Sequence, residues 1–103
     1  MNELREIIAI CINQLGAKGY IANRYSGQPN TFHIENIDTN VAVNFSYDIP
    51  SGKYSQDDES KKISEICREA LEELGYETTL YSDSGIFSIE TENGDIYIYM
   101  GEE

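Results

Sequence analysis

Basic side chains are scarce in this chain: its 103 residues hold 7 Lys and Arg against 19 Asp and Glu, a formal net charge of −12. A protein that grips nucleic-acid phosphates directly needs a Lys/Arg footprint, so direct nucleic-acid binding is not expected. Histidine occurs once and cysteine twice. That is too few for a zinc set and too few for a disulfide-built scaffold. No apolar run reaches the length of a membrane span, and the N-terminus lacks a basic segment followed by a long apolar stretch. Neither a transmembrane protein nor a secreted precursor is expected.

The motifs of common chemistry are also missing. No nucleophile elbow, Walker loop, Gly-x-Gly-x-x-Gly or Cys-x-x-Cys occurs. Close carboxylate pairs arise readily in a chain with 19 acids, so such pairs carry no catalytic signal by themselves. Asp57-Asp58-Glu59 lacks the alternate-position oxygen ligands of a calcium loop. His33 stands between Phe32 and Ile34, and strand alternation points it to solvent rather than to a reaction centre. The expectation is a protein that is not an enzyme, with no catalytic residue, no cofactor and no metal.

What is present is a foldable chain. Apolar residues make up 40% and charged residues 25%, fitting a folded protein with one core at this length, a single domain over 1–103. Sliding the sequence against itself by 56 residues places Ile7 on Ile63, Ile10 on Ile66, Cys11 on Cys67 and Leu15 on Leu71. Gly19-Tyr20 then falls on Gly75-Tyr76, and Tyr25-Ser26 on Tyr81-Ser82; over Glu6–Gly27, 8 of 22 pairs are identical. At an offset of 55, Phe32-His33-Ile34-Glu35 meets Phe87-Ser88-Ile89-Glu90. Shared apolar spacing alone would match the Ile and Leu positions, but not the Gly-Tyr, Tyr-Ser and Cys pairs in the same order. The sequence therefore reads as two pseudo-repeats, 1–47 and 60–103, joined by a linker loop over 48–59.

Each repeat reads as a helix followed by three strands. Leu4, Ile7, Ile8, Cys11, Ile12 and Leu15 predict a helix over 2–17, and Ile63, Ile66, Cys67, Ala70, Leu71 and Leu74 a second over 60–74. Ser60, or an acid of Asp57-Asp58-Glu59, suits the cap of the second helix. Gly19 and Gly75 stand where a helix ends in a left-handed residue. Strands are expected over 20–25, 31–36 and 40–47, then 76–82, 86–91 and 95–100. Asn93-Gly94 is expected at the centre of the last hairpin, with Asp38-Thr39 near the corresponding turn, and Gly27-Gln28-Pro29-Asn30 and Asp83-Ser84-Gly85 in the others. The fold class expected is α+β: a duplicated αβββ-αβββ chain whose antiparallel sheet carries both helices on one face. Cys11 and Cys67 fall on apolar helix positions and read as reduced core thiols, which points to the cytoplasm. Helices related by a pseudo-twofold axis would bring the two thiols close together.

The charge is concentrated in one repeat. Residues 1–55 carry four basic and five acidic side chains, net −1, whereas 56–103 carry three basic and fourteen acidic, net −11. Glu65, Glu69 and Glu73 recur at every fourth position with Glu72 beside them, and like charges at that spacing repel by about 0.2–0.5 kcal/mol per pair. A solvated face that favours solubility is one reading of this row. A recognition surface is the other, and alternation also sends Glu77, Thr79, Tyr81, Ser88, Glu90, Tyr97 and Tyr99 to the sheet face away from the helices. Tyrosine supplies contact area at low entropic cost, although cross-strand aromatic pairing also stabilises a sheet.

Asp57, Asp58, Glu59, Glu65, Glu69, Glu72, Glu73, Glu77 and Glu90 carry a resemblance of class. In size, acidity and lack of enzymatic motifs, the chain resembles the small acidic inhibitors that phages and mobile elements use against host defence. The best-known are the anti-CRISPR proteins that occupy the DNA site of a Cas nuclease. The resemblance implies a non-enzymatic nucleic-acid mimic whose partner is the basic surface of a nucleic-acid-binding protein, with those nine carboxylates and Tyr81, Tyr97 and Tyr99 as partner-binding residues. Two other readings stand beside it. One is an immunity or antitoxin-like protein that uses the same acidic surface against a cognate toxin. The other is a structural module that forms a homodimer or serves as an adaptor through its apolar first helix or tyrosine face, with the acidic face giving only solubility.

Overall fold

Leu4, Ile7, Ile8, Cys11 and Leu15 recur at three- and four-residue spacing and lie buried along one side of helix α1, Glu3–Ala17. Helix α2, Asp58–Glu73, buries Ser60, Ile63, Ser64, Cys67, Ala70 and Leu71 in the same manner. The computed structural model describes residues 3–24, 27, 30–37, 41–48, 58–81 and 86–101. After α1 come β1 (Ala22–Arg24), β2 (Thr31–Ile34) and β3 (Val41–Ser46); after α2 come β4 (Thr78–Tyr81), β5 (Ile86–Thr91) and β6 (Gly94–Gly101).

Both helices stop in the same way. The Tyr20 N–H bonds to the Leu15 carbonyl at 3.0 Å and the Gly19 N–H to Gly16 at 3.1 Å; Tyr76 and Gly75 repeat this with Leu71 and Glu72 at 3.2 and 3.0 Å. This double bond pattern needs a left-handed residue between helix and strand, supplied by Gly19 at φ 94° and Gly75 at φ 97°. Tyr20 and Tyr76 then fold back against the core. Because these caps consume the residues at the helix exits, β1 and β4 start two residues later than the expected 20 and 76.

The strands form a six-stranded antiparallel sheet in the order β1-β2-β3-β6-β5-β4, and both helices pack on one of its faces. The fold class is therefore α+β with one two-layer arrangement. Phe32, Ile34, Val41, Val43 and Phe45 from one half and Phe87, Ile89, Ile96, Ile98 and Met100 from the other face the helices and join one core cluster with α1 and α2. The rings of Phe32 and Phe45 sit 5.7 Å apart in a tilted pair. Burying a side chain of this size contributes about 1.5–3 kcal/mol, so the core rests on these aromatic and β-branched strand positions.

Strand registers correspond between the halves. Ala22 opposite Ile34, Asn23 opposite His33 and Arg24 opposite Phe32 have their counterparts in Thr78–Ile89, Thr79–Ser88 and Leu80–Phe87. Phe32–Val43, His33–Ala42 and Ile34–Val41 likewise answer to Phe87–Ile98, Ser88–Tyr97 and Ile89–Ile96. At the centre, Val43 faces Met100 and Phe45 faces Ile98, with Asn44 opposite Tyr99 between them.

Several expectations are corrected. Helix α2 begins at Asp58, so Ser60 is not its cap but a buried residue of its first turn, 1% exposed, and the expected linker 48–59 loses its last two residues to the helix. Leu74 is not part of the buried stripe: it lies past the end of α2 and is 62% exposed, while Ser64 occupies a buried position instead. In the last hairpin Thr91 pairs with Gly94, so the tip is Glu92-Asn93 rather than Asn93-Gly94. The Thr91 hydroxyl accepts the Asn93 N–H at 3.2 Å and donates to the Gly94 carbonyl at 2.6 Å. Gly94 takes a positive φ there, 117°, as in loops where a glycine follows a tighter turn. β2 and β3 are shorter than expected, 31–34 and 41–46; β3 ends where the Ser46 hydroxyl accepts the Asp48 N–H at 3.0 Å and bends the chain. The expected turns at Asp38-Thr39, Gln28-Pro29 and Asp83-Ser84-Gly85 lie outside the described residues.

Candidate functional site

The partner-binding residues expected from sequence divide between two surfaces. On α2, Asp58, Glu65, Glu69, Glu72 and Glu73 are exposed and Glu59 is half-buried. They line the side of the helix turned away from the sheet, because Ile63, Cys67, Ala70 and Leu71 take the inward positions. Arg68 reaches Glu72 at 3.5 Å, one turn away, and Glu72 also accepts the Thr78 hydroxyl at 2.7 Å. Among the described residues, Glu65, Glu69 and Glu73 have no such cation. Asp57 lies outside the described residues.

Tyr81, Tyr97 and Tyr99 lie on the other face of the sheet. Tyr97 pairs with Ser88 across to β5 and with Ser46 across to β3, while Tyr99 stands opposite Asn44. The rings of Tyr81 and Tyr97 approach to 5.9 Å, and Ser88 donates a hydrogen bond to the Tyr81 hydroxyl at 3.3 Å. Desolvation holds the Tyr97 phenol above its ordinary pKa, and Tyr81 and Asp95 beside it push the same way. Glu90 faces Asp95 directly, and the Glu90 N–H donates to the Glu77 carbonyl at 3.1 Å. Three carboxylates thus stand in a row at one corner of the tyrosine face, where like charges opposite one another cost stability.

The sheet separates this corner from the carboxylates of α2, so the expected set does not form one continuous patch. The reason is architectural: both helices cover one sheet face, and alternation sends the tyrosines to the other.

Sequence reasoning also missed part of the tyrosine face. Thr31 and Asn44 enter it from β2 and β3, with the Thr31 hydroxyl donating to the Asn44 Oδ1 at 2.9 Å. A Cβ at Gly101 would come within 3.2 Å of Asn44 Nδ2, so the glycine leaves room for that amide. Extending the alternation argument from β5–β6 into β2 and β3 would have found these residues. His33 is corrected as well: it points to this face as alternation requires, but it is buried, 7% exposed. β2 is an inner strand, so Asn23 and the small Ala42 flank the imidazole on both sides.

Cys11 and Cys67 meet where α1 crosses α2. Both are buried free thiols, and the expected proximity holds: a hydrogen bond with Cys11 is the largest influence on Cys67, which with burial raises its pKa well above the usual thiol value. The Tyr76 phenol is raised by burial and then by Glu3 and Glu6, which places the first turn of α1 beside the exit of α2. The helices therefore run antiparallel with the thiols between them. The Glu3 carboxylate also accepts from Asn93 Nδ2 at 3.0 Å, tying α1 to the β5–β6 tip.

Fold and surfaces together define a two-layer α+β protein that presents an acidic helix face and a tyrosine-bearing sheet face. Among the described residues no group of three or more His, Cys, Asp or Glu side chains is placed to hold a metal ion, and no helix is long and apolar enough to cross a membrane. No family model matches the chain, and no curated protein or solved structure matches it either.

Proposed function

We propose that this chain is a non-enzymatic acidic protein that binds and inhibits a nucleic-acid-binding effector, in the manner of anti-CRISPR inhibitors that cover the DNA site of a Cas nuclease. The observation that carries this reading is the face of α2. Glu65, Glu69 and Glu73 lie exposed in one row, without a cation among the described residues. Such a row costs the helix stability, yet it presents a negative potential that steers a basic nucleic-acid-binding surface and occupies it. The cytoplasm is the compartment that goes with this reading, supported by the two free thiols. A duplicated αβββ origin for the single domain goes with it too, supported by the matched registers and helix caps. Its two halves then diverged mainly in surface charge.

The test is a pull-down from nuclease-treated bacterial lysate with salt-step elution, using the native chain and Glu65→Gln/Glu69→Gln/Glu73→Gln side by side. The reading expects a nucleic-acid enzyme that elutes steeply with salt, is lost with the triple variant, and is displaced from the native chain by DNA. Retention of the same partner by the variant sinks it. An immunity-type protein uses the same surface and differs only in having a toxin as its partner. The homodimer or adaptor reading draws on a different observation, the sheet face holding the exposed Tyr81 and the half-buried Tyr97 and Tyr99. It expects Tyr97→Ala to abolish an association that the glutamine variant keeps.

A further inference from the structure

We propose that β4 is a recognition edge: an extended, Lys- or Arg-bearing strand of the partner protein adds to the sheet alongside Thr78–Tyr81. This rests on the reading above that the partner is basic, and it names the mode of engagement.

β4 ends the sheet, and no described residue pairs with its outer side. The Glu90 N–H bonds to the Glu77 carbonyl at 3.1 Å, so Glu77, Thr79 and Tyr81 direct their backbone groups toward β5. Antiparallel alternation then turns the N–H and C=O of Thr78 and Leu80 outward, an open ladder for a further strand. Natural edges are usually blunted by Pro, by charged side chains or by a bulge. Thr78-Thr79-Leu80-Tyr81 has neither a proline nor a charge.

Its side chains suit a strand partner as well. Leu80 is 55% exposed, and Leu74 at the exit of α2 is 62% exposed. Strand addition draws affinity from main-chain bonds and specificity from alternate side chains; Leu80 is the alternate position on the helix side. Glu73 and Glu77, both exposed, flank the point where the chain enters β4, and they select a basic strand. A second copy does not supply such a strand at this edge: its own β4 carries no Lys or Arg, and β4 laid on β1 would propagate as an open chain of copies.

The experiment uses the isotope-labelled full chain, with a short synthetic peptide of alternating Lys and Val as probe and a Glu/Val peptide as counter-probe, read by NMR amide shifts and hydrogen exchange. The proposal expects the Lys/Val peptide to shift and protect the amides of Thr78 and Leu80 while those of Thr79 and Tyr81, already bonded, change little. Leu80→Pro removes one outward donor and leaves the β5 ladder intact, since an edge strand tolerates proline on its solvent side. It should weaken peptide binding by about tenfold. Leu80→Lys, a change at an exposed side chain, should weaken it as well and covers the case in which the proline variant does not fold.

Shifts confined to the Glu65–Glu69 face, or binding indifferent to both Leu80 variants, would overturn the edge and leave the basic-partner reading standing. Tighter binding of the Glu/Val peptide at β4 would keep the edge and remove the basic partner. Protection of Thr78 and Leu80 that grows with protein concentration and no peptide would replace the partner strand with a second copy, against the proposal.

Discussion

β1 and β4 hold corresponding places at the two ends of the sheet, each preceded by a Gly-Tyr helix cap and each paired in the same register. Their exposed side chains differ at almost every position. Where the second half has Leu74, Glu77 and Leu80, the first has Lys18, Ile21 and Arg24. The β1 end is also laced by side chains: Asn36 accepts the Ile21 N–H and donates to the Gly19 carbonyl, each at 2.7 Å, and Asn23 donates to Glu35 at 2.7 Å. At the β4 end the Thr78 hydroxyl donates to Glu72 at 2.7 Å and Ser88 donates to the Tyr81 hydroxyl at 3.3 Å. The helix stops and most inward positions agree between the halves, although buried Leu4 and Ile8 answer to buried Ser60 and Ser64; most positions that face solvent differ. Packing and backbone conformation constrain the first group, and only solvation or a partner constrains the second.

The largest expected effect tests the shared part. Phe32 and Phe87 are both fully buried at corresponding sites, so Phe32→Ala and Phe87→Ala should each cost about 3–5 kcal/mol by chemical denaturation. A cost at one site several-fold below the other would break the equivalence of the halves. Gly19→Ala and Gly75→Ala come next. At φ 94° and 97°, each should lose about 1–2 kcal/mol.

Alkaline pH should separate the halves, since Cys67, Tyr76 and Tyr97 all belong to the second and all have raised values. The unfolded chain releases these protons first, so their contribution is complete below the ordinary thiol value of 9.0 and the ordinary tyrosine value of 10.0. It is lost as pH rises through the higher folded values. Denaturation midpoints should therefore fall above about pH 9, with the onset moved to higher pH in Cys67→Ala; an onset unmoved by that change would refute the thiol's part.

The smallest effect concerns the charged surface. Glu69→Gln removes like-charge neighbours on both sides and should stabilise the protein by about 0.2–0.5 kcal/mol per pair relieved. High salt should erase that gain. A destabilising Glu69→Gln would mean that the row is held by compensation within the fold.

Most elements were legible in the sequence because their causes are local. The Ile63, Cys67 and Leu71 stripe marks a helix, the Phe87, Ile89, Ile96 and Ile98 alternation marks strands, and Gly75-Tyr76 marks a stop. Misreadings arose where a neighbour decided the outcome. Leu74 fits the helical stripe but lies past the last residue of α2, in the turn that Gly75 closes. His33 alternates outward yet is buried beside Asn23 and Ala42. The hairpin tip moved by one residue because the Thr91 hydroxyl bonds to the Asn93 N–H and the Gly94 carbonyl, with Gly94 in the left-handed region.

The candidate site shows the same division. Sequence periodicity correctly exposes Glu65, Glu69 and Glu73 and assigns Tyr97 and Tyr99 to the face opposite Ile96 and Ile98. By itself the sequence determined the elements, their inward sides and the surplus of carboxylates in the second half, because helical and strand periods act within a single element. Only the tertiary structure decided that His33 is buried between Asn23 and Ala42, that Thr31 bonds to Asn44, and that Thr78–Tyr81 ends the sheet. Those relations join residues from different elements, and they are set by which faces must be buried together to close one core.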